Sequence, residues 1–163
     1  MDPKKFLSAL IFRSGATLRT EVVILIARLV VGFGFVQHGF AKVVNGPDHF
    51  ASSLSGLGVA APEIMSRVTI TAELICGSAV LAGALVPLMC VPMSVILLVA
   101  MYYVHLPFGF SSIKLQAVTP EGIKFGPPGY EVILLYFVGL SVLAILGAGP
   151  VSVDSWLKRR FGL

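Results

Sequence analysis

The chain has 163 residues, 56% of them hydrophobic and 12% charged, with a mean hydropathy of +0.93. Soluble domains carry about 25% charged residues, so half of that charge is missing, as expected if most of the chain sits in lipid. The net charge of +4 does not point to nucleic acid: the basic residues gather at the chain ends and form no basic face interleaved with aromatics. They read instead as topology signals and as contacts to anionic lipid.

One domain, residues 1–163, is expected. Residues 3–14 (PKKFLSALIFRS) place Phe6, Leu7, Leu10 and Ile11 at helical spacing among Lys4, Lys5 and Arg13. That pattern predicts a short amphipathic helix lying on the membrane surface. A cleaved signal peptide fits worse, because Arg13 ends a short apolar run and no small-x-small cleavage site follows. Four spans are predicted, over about 22–43, 67–86, 88–106 and 129–148, with a turn around Pro87 between the second and third. Each approaches the roughly 20 residues that a crossing helix needs. Spanning strands are excluded, since the apolar runs do not alternate. The fold class expected is therefore all-α: a four-transmembrane-helix bundle with an N-terminal surface helix.

Lys4, Lys5, Arg13 and Arg19 precede the first span, and Lys158, Arg159 and Arg160 follow the last, against Lys42, Arg67, Lys114 and Lys124 in the long loops. This excess predicts both termini in the cytoplasm; the membrane itself is expected to be a bacterial-type inner membrane. Residues 44–66 then form an outer loop with a short helix after Pro47. Residues 107–128, with Phe108, Phe110 and Phe125 among Gly and Pro, form a second outer loop, read as a lid or as a connector with interfacial aromatic anchors. Cys76 and Cys90 form no CxxC. Helix rise places them at different depths, so they read as small packing residues rather than a redox pair.

The first span is the unusual one. Taken at 100° per residue, Glu21, Arg28, Phe35 and Lys42 share one stripe, while Val22, Ile26, Leu29, Val30 and Phe33 face away from it. An ionised side chain at membrane depth costs about 2.5–3.5 kcal/mol, so the stripe is expected to face a bundle interior. Each span also carries an ionisable side chain in its outer third: His38 (with Gln37 and Lys42 nearby), Glu73, His105 and Glu131. Glu73 is too short to reach water and needs a partner, or must keep its proton. Two histidines and two carboxylates suit a metal, a quinone or other small redox ligand, or internal pairing that pins the helices. No span carries an i,i+3 or i,i+4 His/Glu pair, so no metal is assigned. Arg28 lies deeper, toward the cytoplasmic side, and Asp154 after the fourth span is its expected counter-ion.

Several of these residues fall in longer motifs: Arg28 with G-F-x-Q-H-G-x-x-K (Gly34 to Lys42), Glu73 with its small-residue tail, and His105 through Gly109-Phe110. Gly129-Tyr130-Glu131 and G-x-G-P-x-S-x-D (Gly147 to Asp154) complete the set. Over about residues 22–157 the chain resembles the DoxX family of small four-helix membrane proteins. The resemblance implies a four-helix bundle with links to redox chemistry, as in subunits of thiosulfate:quinone oxidoreductase or of oxidative-stress assemblies. The reading is a redox-associated, quinone-interacting membrane subunit without a covalent cofactor, whose partners are lipid and other membrane subunits or further copies of itself. The alternative is a non-catalytic subunit that assembles a larger complex.

Overall fold

The computed structural model describes residues 18–120 and 122–162; the surface helix expected over residues 3–14 lies outside them. The elements follow in the order α1 (Leu18–Val44), α2 (Pro47–Gly56), α3 (Pro62–Ala82), α4 (Val86–Ala100), β1 (Leu115–Thr119), β2 (Gly122–Phe125), α5 (Glu131–Leu146) and α6 (Val153–Phe161). α4 runs on through a π-turn at Met101–His105 and a 3-10 turn at Leu106–Phe108. Three helices, Thr20–Val44, Pro62–Ala82 and Val86–Phe108, are long and apolar enough to cross a membrane. α5 has 16 residues, about 24 Å at 1.5 Å per residue, against about 30 Å of bilayer hydrocarbon.

The helix ends depart from the sequence expectation for local reasons. α3 starts at Pro62, in the first turn, where a missing N–H leaves nothing unsatisfied. It ends at Gly83, whose φ of 73° places it in the left-handed region, and the Gly83 and Ala84 amides return to the Val80 and Ala79 carbonyls. Pro87 is therefore not the turn between the second and third spans. It lies in the first turn of α4, after Leu85, which holds a positive φ of 51°. This tight hairpin also corrects the depth expected for the cysteines. Cys76 and Cys90 stand a similar number of residues before and after the turn, on antiparallel helices, and both are buried.

α1 packs along α3, α3 on α4, α4 on α5, and α5 back on α1. The core between them draws Ile24 and Phe35 from α1, Val80 from α3, Cys90 and Met93 from α4, and Leu140 and Leu143 from α5. Outside, Val22, Ile26, Val30 and Phe33 are exposed, as the expected stripe requires. Glycine brings α1 and α3 together: a Cβ on Gly32 would stand 2.8 Å from the Leu81 nitrogen and 2.9 Å from the Gly77 oxygen. Close backbone approach of this kind replaces the hydrophobic gain that lipid does not supply.

The loop over 107–128 is not a plain connector. β1 and β2 form an antiparallel hairpin, pairing Leu115 with Phe125, Val118 with Ile123 and Thr119 with Gly122. The chain is mostly helical but not wholly so. Isolated hairpins have weak sequence signals, and here the Gly-Pro-rich flanks masked this one.

Candidate functional site

α1 delivers Arg28, Phe35 and Lys42 to its inner face, one heptad apart. Near the Lys42 end, the Lys42 ammonium lies 2.7 Å and 2.6 Å from the two carboxylate oxygens of Glu73 on α3. The Glu73 side chain is 5% exposed and that of Lys42 22%, so a partly wet cation neutralises a buried anion. The partner that Glu73 required is thus on the neighbouring helix. Gly39 makes the approach possible, since a Cβ there would meet the Glu73 Cβ at 3.1 Å. Phe50 of α2 covers the pair, with Lys42 Nζ 5.1 Å from its ring centre. α2 is in turn tied to α3 by the Ser66 hydroxyl, which donates to the Pro47 carbonyl at 2.7 Å.

His38, one turn back along α1, is exposed and meets the Tyr136 ring of α5 edge-on at 6.3 Å. Tyr136 also stacks edge-on against Phe35 at 5.8 Å, and its hydroxyl fills the space over Gly34, where a Cβ would collide with it. Gln37 is exposed on the outward face. His105 and Glu131 do not join this group. His105 donates its Nδ1 proton to the Pro128 carbonyl at 3.0 Å, and Glu131 Oε2 accepts the Ser112 amide at 3.0 Å. Both side chains hold the base of the hairpin loop, so the four-residue layer read from helix depth divides into two places. Among the described residues no group of three His, Cys, Asp or Glu side chains is arranged to hold a metal ion.

At the other end of α1, Arg28 is 3% exposed, and among the described residues every hydrogen bond it makes goes to a main-chain carbonyl. Nε donates to Val80 at 3.1 Å, Nη2 to Leu81 at 3.1 Å, and Nη1 to Val151 at 2.8 Å and to Ala148. The Val80 and Leu81 carbonyls belong to the last turn of α3, which has no further helix to donate to it, so the guanidinium caps that turn and complements its dipole. The expected direct ion pair with Asp154 is not made. Asp154 Oδ1 instead accepts the Leu85 amide at 2.9 Å, and its own amide donates to the Gly83 carbonyl at 3.0 Å. It caps α4 at the strained Leu85 and feels Arg28 only as a nearby charge. Its Oδ2 is buried and has no hydrogen-bond partner among the described residues. Burial raises the Asp154 carboxyl above the usual carboxylate range, against the opposing pull of the Leu85 and Val86 amides and of Arg28.

The DoxX family model matches residues 23–106, just over half of the chain. The chain belongs to the DoxX family. No curated protein and no solved structure matches it. Family membership and the apolar helices together make this an integral membrane protein. The match contains Arg28, His38, Lys42, Glu73 and His105, and leaves Tyr136 and Asp154 outside it. Two residues of the candidate site escaped sequence reading. Tyr136 sits at a depth that the antiparallel order of α1 and α5 could have signalled, and Phe50 on a loop helix had no periodic signal at all.

Proposed function

We propose that this DoxX protein is a redox-associated membrane subunit that engages a quinone at the Lys42 end of its helices, with α5 as the fourth span and both termini in the cytoplasm of a bacterial-type cell. One observation carries the reading: a part-buried, hydrogen-bonded Lys42–Glu73 pair stands one turn from His38, which opens outward. A bilayer-dissolved quinone reaches His38 sideways through lipid, where its ring can lie near Tyr136 and its carbonyl oxygen can accept an N–H. Reduction of a quinone takes two electrons and two protons. This chain's part is the protons: His38 meets the quinone, and Glu73 and Lys42 hold a proton between them behind it. The electrons come from a partner subunit.

A structural reading, in which the chain assembles a larger complex, is favoured by a different observation. Both Glu73 oxygens are taken up by Lys42, and a mutually satisfied pair pins α1 to α3 without any ligand. A short-chain ubiquinone titrated into the purified protein in nanodiscs separates the two. Wild type should bind it, and His38→Ala and Glu73→Gln should lose binding. The melting temperature of His38→Ala should stay unchanged, because His38 is exposed. Wild-type affinity in both variants would sink the quinone reading. Failure of wild type to bind, with co-purifying protein subunits, would favour assembly.

A further inference from the structure

The β-hairpin has two unlike faces. The pairs Leu115–Phe125 and Val118–Ile123 share one of them, because Ile123 and Phe125 are two residues apart and an irregularity between Leu115 and Ala117 brings Leu115 onto the Val118 side. The other face carries Ala117 opposite Lys124 and Thr119 opposite Gly122. All four apolar residues are open: Leu115 is 61% exposed, Val118 73%, Ile123 57% and Phe125 59%.

Its attachment places this face at the bilayer surface. The α4 extension ends at Phe108 and α5 begins at Glu131. Between them the two arms of the loop are stitched together by Tyr130 N–H to the Gly109 carbonyl, Glu131 N–H to Phe110, Gly129 N–H to Ser111 and Gly126 N–H to Lys114. Gly129 fits so closely that a Cβ would strike the Gly109 carbonyl. The hairpin is thus a braced extension of two membrane helices.

We propose that it lies flat in the leaflet at the Lys42 end of α1, its Leu115, Val118, Ile123 and Phe125 face in the boundary between headgroups and acyl chains, with Lys124 turned to the phosphates and water. A five-residue strand is about 17 Å long, whereas each headgroup layer is only about 5–8 Å thick. Standing upright, the hairpin would carry Val118 and Ile123 past the headgroups into water; lying down, it buries them at the depth interfacial elements occupy. Tyr102 and Leu106 at the end of the third span and Phe110 beyond it are exposed apolar side chains as well. Four side chains also fall well short of the about 800 Å² per partner that a stable protein interface buries. Lipid sets no such threshold.

Trp156 is the only tryptophan of the chain, so a Trp156→Phe background lets a single reporter be placed by Val118→Trp, Ile123→Trp or, on the opposite face, Lys124→Trp. Each full-length variant is reconstituted in phosphatidylcholine nanodiscs, with or without lipid brominated near the headgroup end of the acyl chain. The Val118 and Ile123 reporters should shift to the blue relative to Lys124→Trp, lose most of their emission to bromolipid and resist iodide. Ready quenching by iodide without loss to bromolipid would place the face in water and overturn the proposal. Protection from both quenchers would mean that protein covers it, and would overturn it equally. Either reporter alone suffices if the other variant does not fold.

Discussion

Arg28 and Asp154 provide the sharpest test of how the Arg28 end of the molecule is held. If Arg28 served to neutralise Asp154, Arg28→Lys would keep the charge and most of the stability. The structure assigns it a different task, four hydrogen bonds to the carbonyls of Val80, Leu81, Ala148 and Val151. An ammonium on one flexible stem cannot reach four acceptors spread around a planar fork. The Val80 carbonyl keeps the Gly83 amide, but at least one of the Leu81, Ala148 and Val151 carbonyls then loses its donor, at about 1–3 kcal/mol, so Arg28→Lys should lose about 1–3 kcal/mol. Asp154→Asn keeps an oxygen for the Leu85 amide and should cost less than about 1 kcal/mol, within the range of a retained cap. Thermal and denaturant unfolding in a fixed detergent measures both. An Arg28→Lys protein as stable as wild type, beside an Asp154→Asn protein that loses several kcal/mol, would refute the carbonyl-clamp argument and restore the direct counter-ion.

Asp154 also sets a pH dependence. Its folded-state carboxyl is raised by burial, so the stabilising contribution is complete below the unfolded carboxylate value and is lost as pH rises through the higher folded value; melting curves should show wild type losing ground to Asp154→Asn across that window, and the reverse slope would contradict the burial argument. Gly32→Ala should lose about 1–3 kcal/mol by overpacking, because its Cβ would meet Leu81 and Gly77 backbone atoms within 2.9 Å, whereas Gly56→Ala, with nothing within 4 Å, should be neutral; equal effects in unfolding measurements would remove the close crossing of α1 and α3. For topology, cysteines replacing Ser8 and Gly162 should resist an impermeant thiol reagent in intact cells, in a background without Cys76 and Cys90, and one replacing Ser53 should react. The opposite labelling pattern would invert the orientation.

What the sequence by itself determined is the part set by periodicity and by the cost of charge in lipid. The shortage of charge made it a membrane chain, and the heptad spacing of Arg28, Phe35 and Lys42 identified the inward face of α1; Arg28 and Phe35 are indeed among its most buried residues. The need of Glu73 for a partner was legible too, because a short carboxylate at that depth has no route to water. Which partner it takes was not. Lys42, His38 and His105 all stood at compatible depths, and depth along a helix carries no information about rotation or crossing between helices. Only the close approach of α1 to α3 through Gly32, Gly39 and Gly77 selected Lys42. Asp154 failed as a counter-ion for a related reason. A charge-to-charge rule ignores main-chain carbonyls, which are the same in every residue and invisible in sequence, yet the turns at Gly83 and Gly147–Ser152 aim four of them at Arg28. The hairpin at Leu115–Phe125 was likewise decided by tertiary structure, because its pairing is braced by the ends of α4 and α5 rather than by its own short strands.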